Sequence, residues 1–106
     1  MTKSASGKKN KVSSQKNENS KKKETRVTIR YDVGFSNNLF IRGHGAGLSW
    51  DRGVLLKNIG PDEWIWEASN PFGDCEFKVL INDRLYEAGE NHHLHDGVWL
   101  QYTPKF

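Results

Sequence analysis

Asp74-Cys75-Glu76-Phe77-Lys78-Val79-Leu80-Ile81-Asn82-Asp83-Arg84-Leu85-Tyr86-Glu87-Ala88 is the stretch on which the fold turns. Around Glu76-Phe77-Lys78 it alternates polar and apolar, the period of a strand with one face in a core. Asn82-Asp83 then supplies a tight hairpin turn, and Arg84 to Ala88 reads as the returning strand. Upstream, Arg26 to Val33 alternates strictly, with Val27, Ile29, Tyr31 and Val33 on one side. Asn38 to Arg42 places Leu39 and Ile41 on one face and Phe40 on the other. Gly43 to Gly47 is a glycine-rich loop leading into Leu48-Ser49-Trp50. Gly53 to Ile59 is closed by Gly60-Pro61, and Glu63 to Ala68 alternates around Trp64 and Trp66. Val98 to Tyr102 forms the last segment, with Pro104 closing the chain.

About seven short β-segments at roughly ten-residue spacing, with no helical period, predict an all-β sandwich. Glycine and proline fall between the segments, where a sheet tolerates them. A sandwich of ~80 residues buries only about 60–70% of its unfolded surface, so its core needs large side chains. Trp64 and Trp66, two residues apart on a strand, project to one face, and Trp64 is the expected core residue.

Charge divides the chain into two parts. From Met1 to Arg26, nine Lys and Arg face only Glu18 and Glu24, a local charge of +7. From Val27 to Phe106, seven Lys and Arg face eleven Asp and Glu, a charge of −4. The basic character therefore belongs to residues 1–24, a lysine-rich tail expected to be disordered because it has too little apolar surface to offset its ordering entropy. A nucleic-acid, anionic-surface or nuclear-import patch is one reading of its lysines, and a solvated tail is the other. Residues 25–106 are the expected domain. No run approaches the ~20 apolar residues that cross a bilayer, and no apolar run follows the first lysines as in a secretory leader. Cys75 stands alone, which excludes an intrachain disulfide and suits a reducing, cytoplasmic setting.

The residues most suggestive of a task are Trp50, Lys78, Tyr86, Glu87 and Asn91. Two aromatic rings offer flat apolar faces to the C–H side of a pyranose. A lysine ammonium and an asparagine amide offer directional hydrogen bonds to its hydroxyls. Each residue also has a plainer reading. Trp50 caps the core, Tyr86 is half-buried packing, Lys78 is a solvated strand residue, and Asn91 is a turn former.

From Thr25 onward the chain resembles the starch-binding domains of carbohydrate-binding module family 20, and more loosely the glycogen-binding domains of family 48. Phe35 to Gly43 resembles the family's opening aromatic, second strand and closing glycine; Leu48-Ser49-Trp50-Asp51 resembles its Leu-Gly-x-Trp turn. Pro61-Asp62-Glu63-Trp64 resembles the start of its fourth strand. Pro71 to Lys78 resembles its Pro-x-Gly then Phe-Glu-Tyr-Lys segment, and Tyr86 to Asn91 resembles its Trp-Glu-x-x-x-Asn. The resemblance implies an immunoglobulin-like β-sandwich. It implies a non-catalytic module that docks α-glucan on Trp50, Lys78, Tyr86, Glu87 and Asn91, without a cofactor. A separate glycan-metabolising enzyme is the implied protein partner. The chain departs from the family in carrying Tyr86 where tryptophan is usual, Ser49 where glycine is frequent, and a shorter hairpin before Tyr86. Phe35 matches an aromatic of the family's second site, but Lys57 to Asp62 lacks the aromatic that completes it, leaving Phe35 as a remnant.

Other signals are weaker. His92, His93 and His95 lack the further ligands a closed zinc site needs, and read as exposed loop residues. Gly43-x-Gly45-x-Gly47 is followed by no helix to hold a pyrophosphate. Glycoside hydrolysis needs two carboxylates flanking a bond in a cleft, and a small sandwich presents a face. The rival readings are a scaffold of the same fold with a lost or retuned sugar site, and a single-strand nucleic-acid binder. The acidic balance of residues 27–106 argues against the second.

Overall fold

The computed structural model describes residues 24–106, so the reading of the tail lies outside the described residues except at Glu24. Among the described residues there are nine strands: β1 Thr25–Arg30, β2 Leu39–His44, β3 Val54–Leu55, β4 Lys57–Gly60, β5 Glu63–Ala68, β6 Asp74–Ile81, β7 Leu85–Tyr86, β8 His92–His95 and β9 Trp99–Tyr102. They form a four-stranded sheet, β4-β5-β1-β9, and a five-stranded sheet, β3-β2-β6-β7, with β8 also paired to β6. All pairings are antiparallel except β1 with β9.

Alternation explains how the two sheets meet. Val27 and Ile29 of β1 pair with Trp66 and Trp64 of β5, and all four are buried. Leu39 and Ile41 of β2 pair with Ile81 and Val79 of β6. One apolar cluster draws on both sheets, including Val27, Ile29, Trp64 and Trp66 from the first and Leu39, Ile41, Phe77, Val79 and Leu94 from the second. This is an all-β, sandwich-like arrangement, with both neighbouring tryptophans in its core. Cys75 is buried in the same cluster, and burial, with Asp74 adding to it, pushes its thiol pKa up.

Two differences from the sequence reading account for the extra strands. The segment Gly53 to Ile59 splits at buried Leu56, so that β3 joins one sheet and β4 the other. The histidine segment is strand β8 and not a loop, pairing Asp74 to Phe77 of β6 with His95 to His92. Its period-two pattern is masked because His92 occupies a core-side position. There it stacks 5.0 Å from Phe77 and packs 4.3 Å from the Tyr102 ring. β2 and β6 approach closely at Gly43, where a Cβ would fall 2.1 Å from the Glu76 carbonyl oxygen.

No helix among the described residues is long and apolar enough to cross a membrane.

Candidate functional site

The outward side of the five-stranded sheet is fixed by the residues that face the core. Because directly paired residues share a face, three cross-strand rows result. Leu55, Phe40, Leu80 and Tyr86 form one row across β3, β2, β6 and β7. Arg42 and Lys78 form the next. His44, Glu76 and His93 form the third. Apolar, cationic and mixed rows thus lie side by side on one face, with Leu80 of the first row fully buried between its neighbours and Leu55 and Tyr86 exposed.

β7 and β8 share one edge of β6 and leave a gap between them. Glu87 fills it. Its backbone N–H donates to the Val79 carbonyl (2.9 Å), and its Oε2 accepts from the Val79 N–H (2.7 Å). The same oxygen accepts from the Tyr102 hydroxyl (2.7 Å), and Oε1 lies 3.0 Å from His92 Nε2. A carboxylate here completes a sheet ladder that has no strand to complete it. Burial, reinforced by the Glu87 charge, drives the Tyr102 hydroxyl pKa well above its ordinary value. Glu87 is 3% exposed, so of the five residues singled out it is the one turned inward.

Lys78, on the outer face, donates from Nζ to the backbone carbonyls of Glu87 (2.8 Å) and Gly89. It therefore pins the segment from β7 to Asn91 and keeps one of its three donors. Asn91 is exposed and donates from Nδ2 to Glu76 Oε2 (2.7 Å), leaving its carbonyl oxygen and one N–H. Trp50 is half-buried in the turn before β3, and Tyr86 is 41% exposed.

Arg42 joins Trp50 to Tyr86. Its Nη1 donates to the Trp50 carbonyl (3.0 Å) and to the Tyr86 hydroxyl (3.3 Å). Its other donors engage Asp83, which also accepts from the Gly53 N–H (3.2 Å). The hydrogen bond to Asp83 raises the Arg42 pKa, and the same bond holds the Asp83 carboxyl below its usual range. Neither residue was singled out from the sequence. The available signal was an outward-facing arginine on β2, which reads locally as an ordinary solvated strand residue.

Phe35 lies apart, 97% exposed, on a groove of about 370 Å³ with Asn37, Asn58, Pro61 and Trp64. Trp64 Nε1 is buried with no hydrogen-bond partner among the described residues. A second groove of about 440 Å³ runs past Ala46, Trp66 and Phe72, and none of the five residues lines it. Volume is a poor guide here, since stacking surfaces are flat. Among the described residues no group of three or more His, Cys, Asp or Glu is placed to hold a metal ion.

The fold and this face define a small all-β domain with an aromatic and polar surface on one sheet. A solved structure similar to it is a glycoside hydrolase family 15 glucoamylase from Hypocrea jecorina, with a TM-score of 0.65 and 13% sequence identity over 90% of this chain. The chain spans only 20% of that glucoamylase's length, and at this identity the likeness establishes the fold. No protein-family model and no curated protein matches the sequence.

Proposed function

We propose that this chain is a non-catalytic module that docks α-glucan on the outer face of the five-stranded sheet. The observation that carries the reading is that the single guanidinium of Arg42 bonds both the backbone carbonyl of Trp50 and the hydroxyl of Tyr86, bringing the Trp50 turn beside a residue distant in sequence. Trp50 and Tyr86 supply apolar stacking surface. Asn91 supplies a donor and an acceptor suited to vicinal hydroxyls, and Lys78 contributes its remaining donor. Glu87 acts from beneath, holding the backbone from which Asn91 projects. Likeness to a stretch of a glycoside-hydrolase glucoamylase supports a carbohydrate-related module. A separate glycan-metabolising enzyme in the cytoplasm is the proposed partner.

Each sugar hydroxyl exchanges a water for a protein group, so each bond adds only about 0.5–1.5 kcal/mol. An open site of this kind binds in roughly the micromolar to millimolar range. Amylose or glycogen retention of the full chain tests the proposal. Trp50→Ala and Tyr86→Ala each abolish or strongly weaken retention while the thermal midpoint stays close to the parent's. Trp64→Ala serves as the opposite control, lowering stability by about 3–5 kcal/mol because its ring belongs to the core. Early melting of both platform variants, with no retention by the parent, removes the glucan reading.

The second reading, a scaffold with a lost or retuned sugar site, is favoured by Lys78, whose ammonium is largely spent on backbone carbonyls. Retention of no glucan by a folded parent chain selects it.

A further inference from the structure

We infer that Arg42, braced by Asp83, is the positioning residue that sets the separation and tilt of Trp50 relative to Tyr86. The inference rests on the glucan reading. The two aromatic residues sit on supports that are weak by themselves. Trp50 lies in a turn whose next residues, Asp51 and Arg52, are exposed. Tyr86 lies on a strand of two residues at a sheet edge.

The clamp gathers both. Arg42 Nε donates to Asp83 Oδ1 (2.8 Å) and Nη2 to the Asp83 carbonyl (3.1 Å), fixing the plane of the guanidinium. Nη1 then points between the Trp50 carbonyl and the Tyr86 hydroxyl, and Cζ lies 5.9 Å from the Tyr86 ring centroid. At the other end of the turn, Asp83 Oδ2 accepts from the Gly53 N–H. The Trp50 turn is therefore held at both ends by one ion pair. The fit is close, since a Cβ at Gly53 would lie 2.2 Å from Asp83 Oδ1. The hairpin supports this geometry, because Asp83 sits at φ 57°, a left-handed conformation that Asp and Asn adopt more readily than most residues.

An arginine suits the task and a lysine does not. The planar fork presents donors in fixed directions to several acceptors, whereas an ammonium is one point on a flexible stem. Four contacts already occupy the guanidinium, so a role as the main sugar donor is disfavoured. A role in holding the sheets together is also disfavoured. β2 and β6 pair through six residue pairs, and Arg42 lies on the face away from the core. Fixing the turn before ligand arrives removes an ordering cost from binding.

The test uses the full chain, with glucan affinity and thermal midpoint measured for Arg42→Lys, Asp83→Asn, Tyr86→Phe and the Arg42→Lys/Tyr86→Phe double variant. Arg42→Lys and Asp83→Asn are expected to lose about tenfold in affinity, with midpoints within a few degrees of the parent's. Tyr86→Phe keeps the ring but loses the acceptor for Arg42. It is expected to cost about threefold in the parent background and nothing further beside Arg42→Lys, the signature of a shared interaction. Parent-like affinity in both Arg42→Lys and Asp83→Asn overturns the positioning role and leaves the glucan reading standing. So does additivity in the double variant, or an affinity loss that only tracks a lowered midpoint. A folded parent that retains no glucan overturns the glucan reading and this role with it.

Discussion

Glu87 shows how one side chain can substitute for a missing strand. Between β7 and β8 the Val79 N–H would face a gap, and the Glu87 carboxylate accepts from it while also receiving the Tyr102 hydroxyl. Glu87→Ala leaves both donors without that acceptor in a buried site. We expect a loss of roughly 1–3 kcal/mol or more in chemical denaturation, larger than for truncating an exposed glutamate. Tyr102 carries a pH signature from the same contact. Its pKa is raised in the folded chain, so its contribution is fully present below the ordinary tyrosine value near 10 and is lost as pH rises toward the folded value. Stability is therefore expected to fall with pH above about 10. In Tyr102→Phe that slope should flatten in parallel denaturation series; an unchanged slope assigns the alkaline loss to other groups.

β6 is the element that organises the site. Its residues Asp74 to Phe77 pair with β8, Leu80 and Ile81 pair with β7, and β2 pairs along its other edge from Glu76 to Ile81. Lys78 lies on its outer face between the two short partners and ties their connection down. The approach of β2 depends on Gly43, because a side chain there would collide with the Glu76 backbone and not with a movable group. Gly43→Ala is expected to spread β2 from β6. It should lower the midpoint strongly and speed exchange of the β2 and β6 amides before those of the four-stranded sheet. Uniform exchange across both sheets would show that the sandwich opens as one unit instead.

At the scale of the molecule, residues of both sheets, from Val27 to Leu94, pack into one apolar cluster. Residues 24–106 are accordingly expected to fold alone, with a strand-rich, helix-free circular dichroism spectrum and cooperative unfolding. Glucan retention should match that of the full chain, since every proposed contact lies after Leu48. Any oligonucleotide affinity of the full chain should fall steeply with salt and disappear with residues 1–24, which carry the excess of lysine. Salt-resistant binding by residues 24–106 would point to base stacking on the aromatic face.

Most of the strands, and the faces they present to the core, are legible in the sequence. Alternation in Arg26 to Ile29, Leu39 to Ile41 and Glu76 to Val79 is a local property, and it places the same residues in the core that the structure does. Asn82-Asp83 likewise announced its hairpin, since both residues take positive φ there. Contacts between distant segments settled what the pattern does not encode. They split Gly53 to Ile59 between two sheets, made the histidine segment a strand, and turned Glu87 inward. They also brought Arg42, paired with Asp83, within reach of the Trp50 carbonyl and the Tyr86 hydroxyl. The physical reason is common to all four. Period and turn chemistry report on a residue and its neighbours in the chain. Which donor meets which acceptor is settled between segments that come together only when β6 has gained strands on both edges.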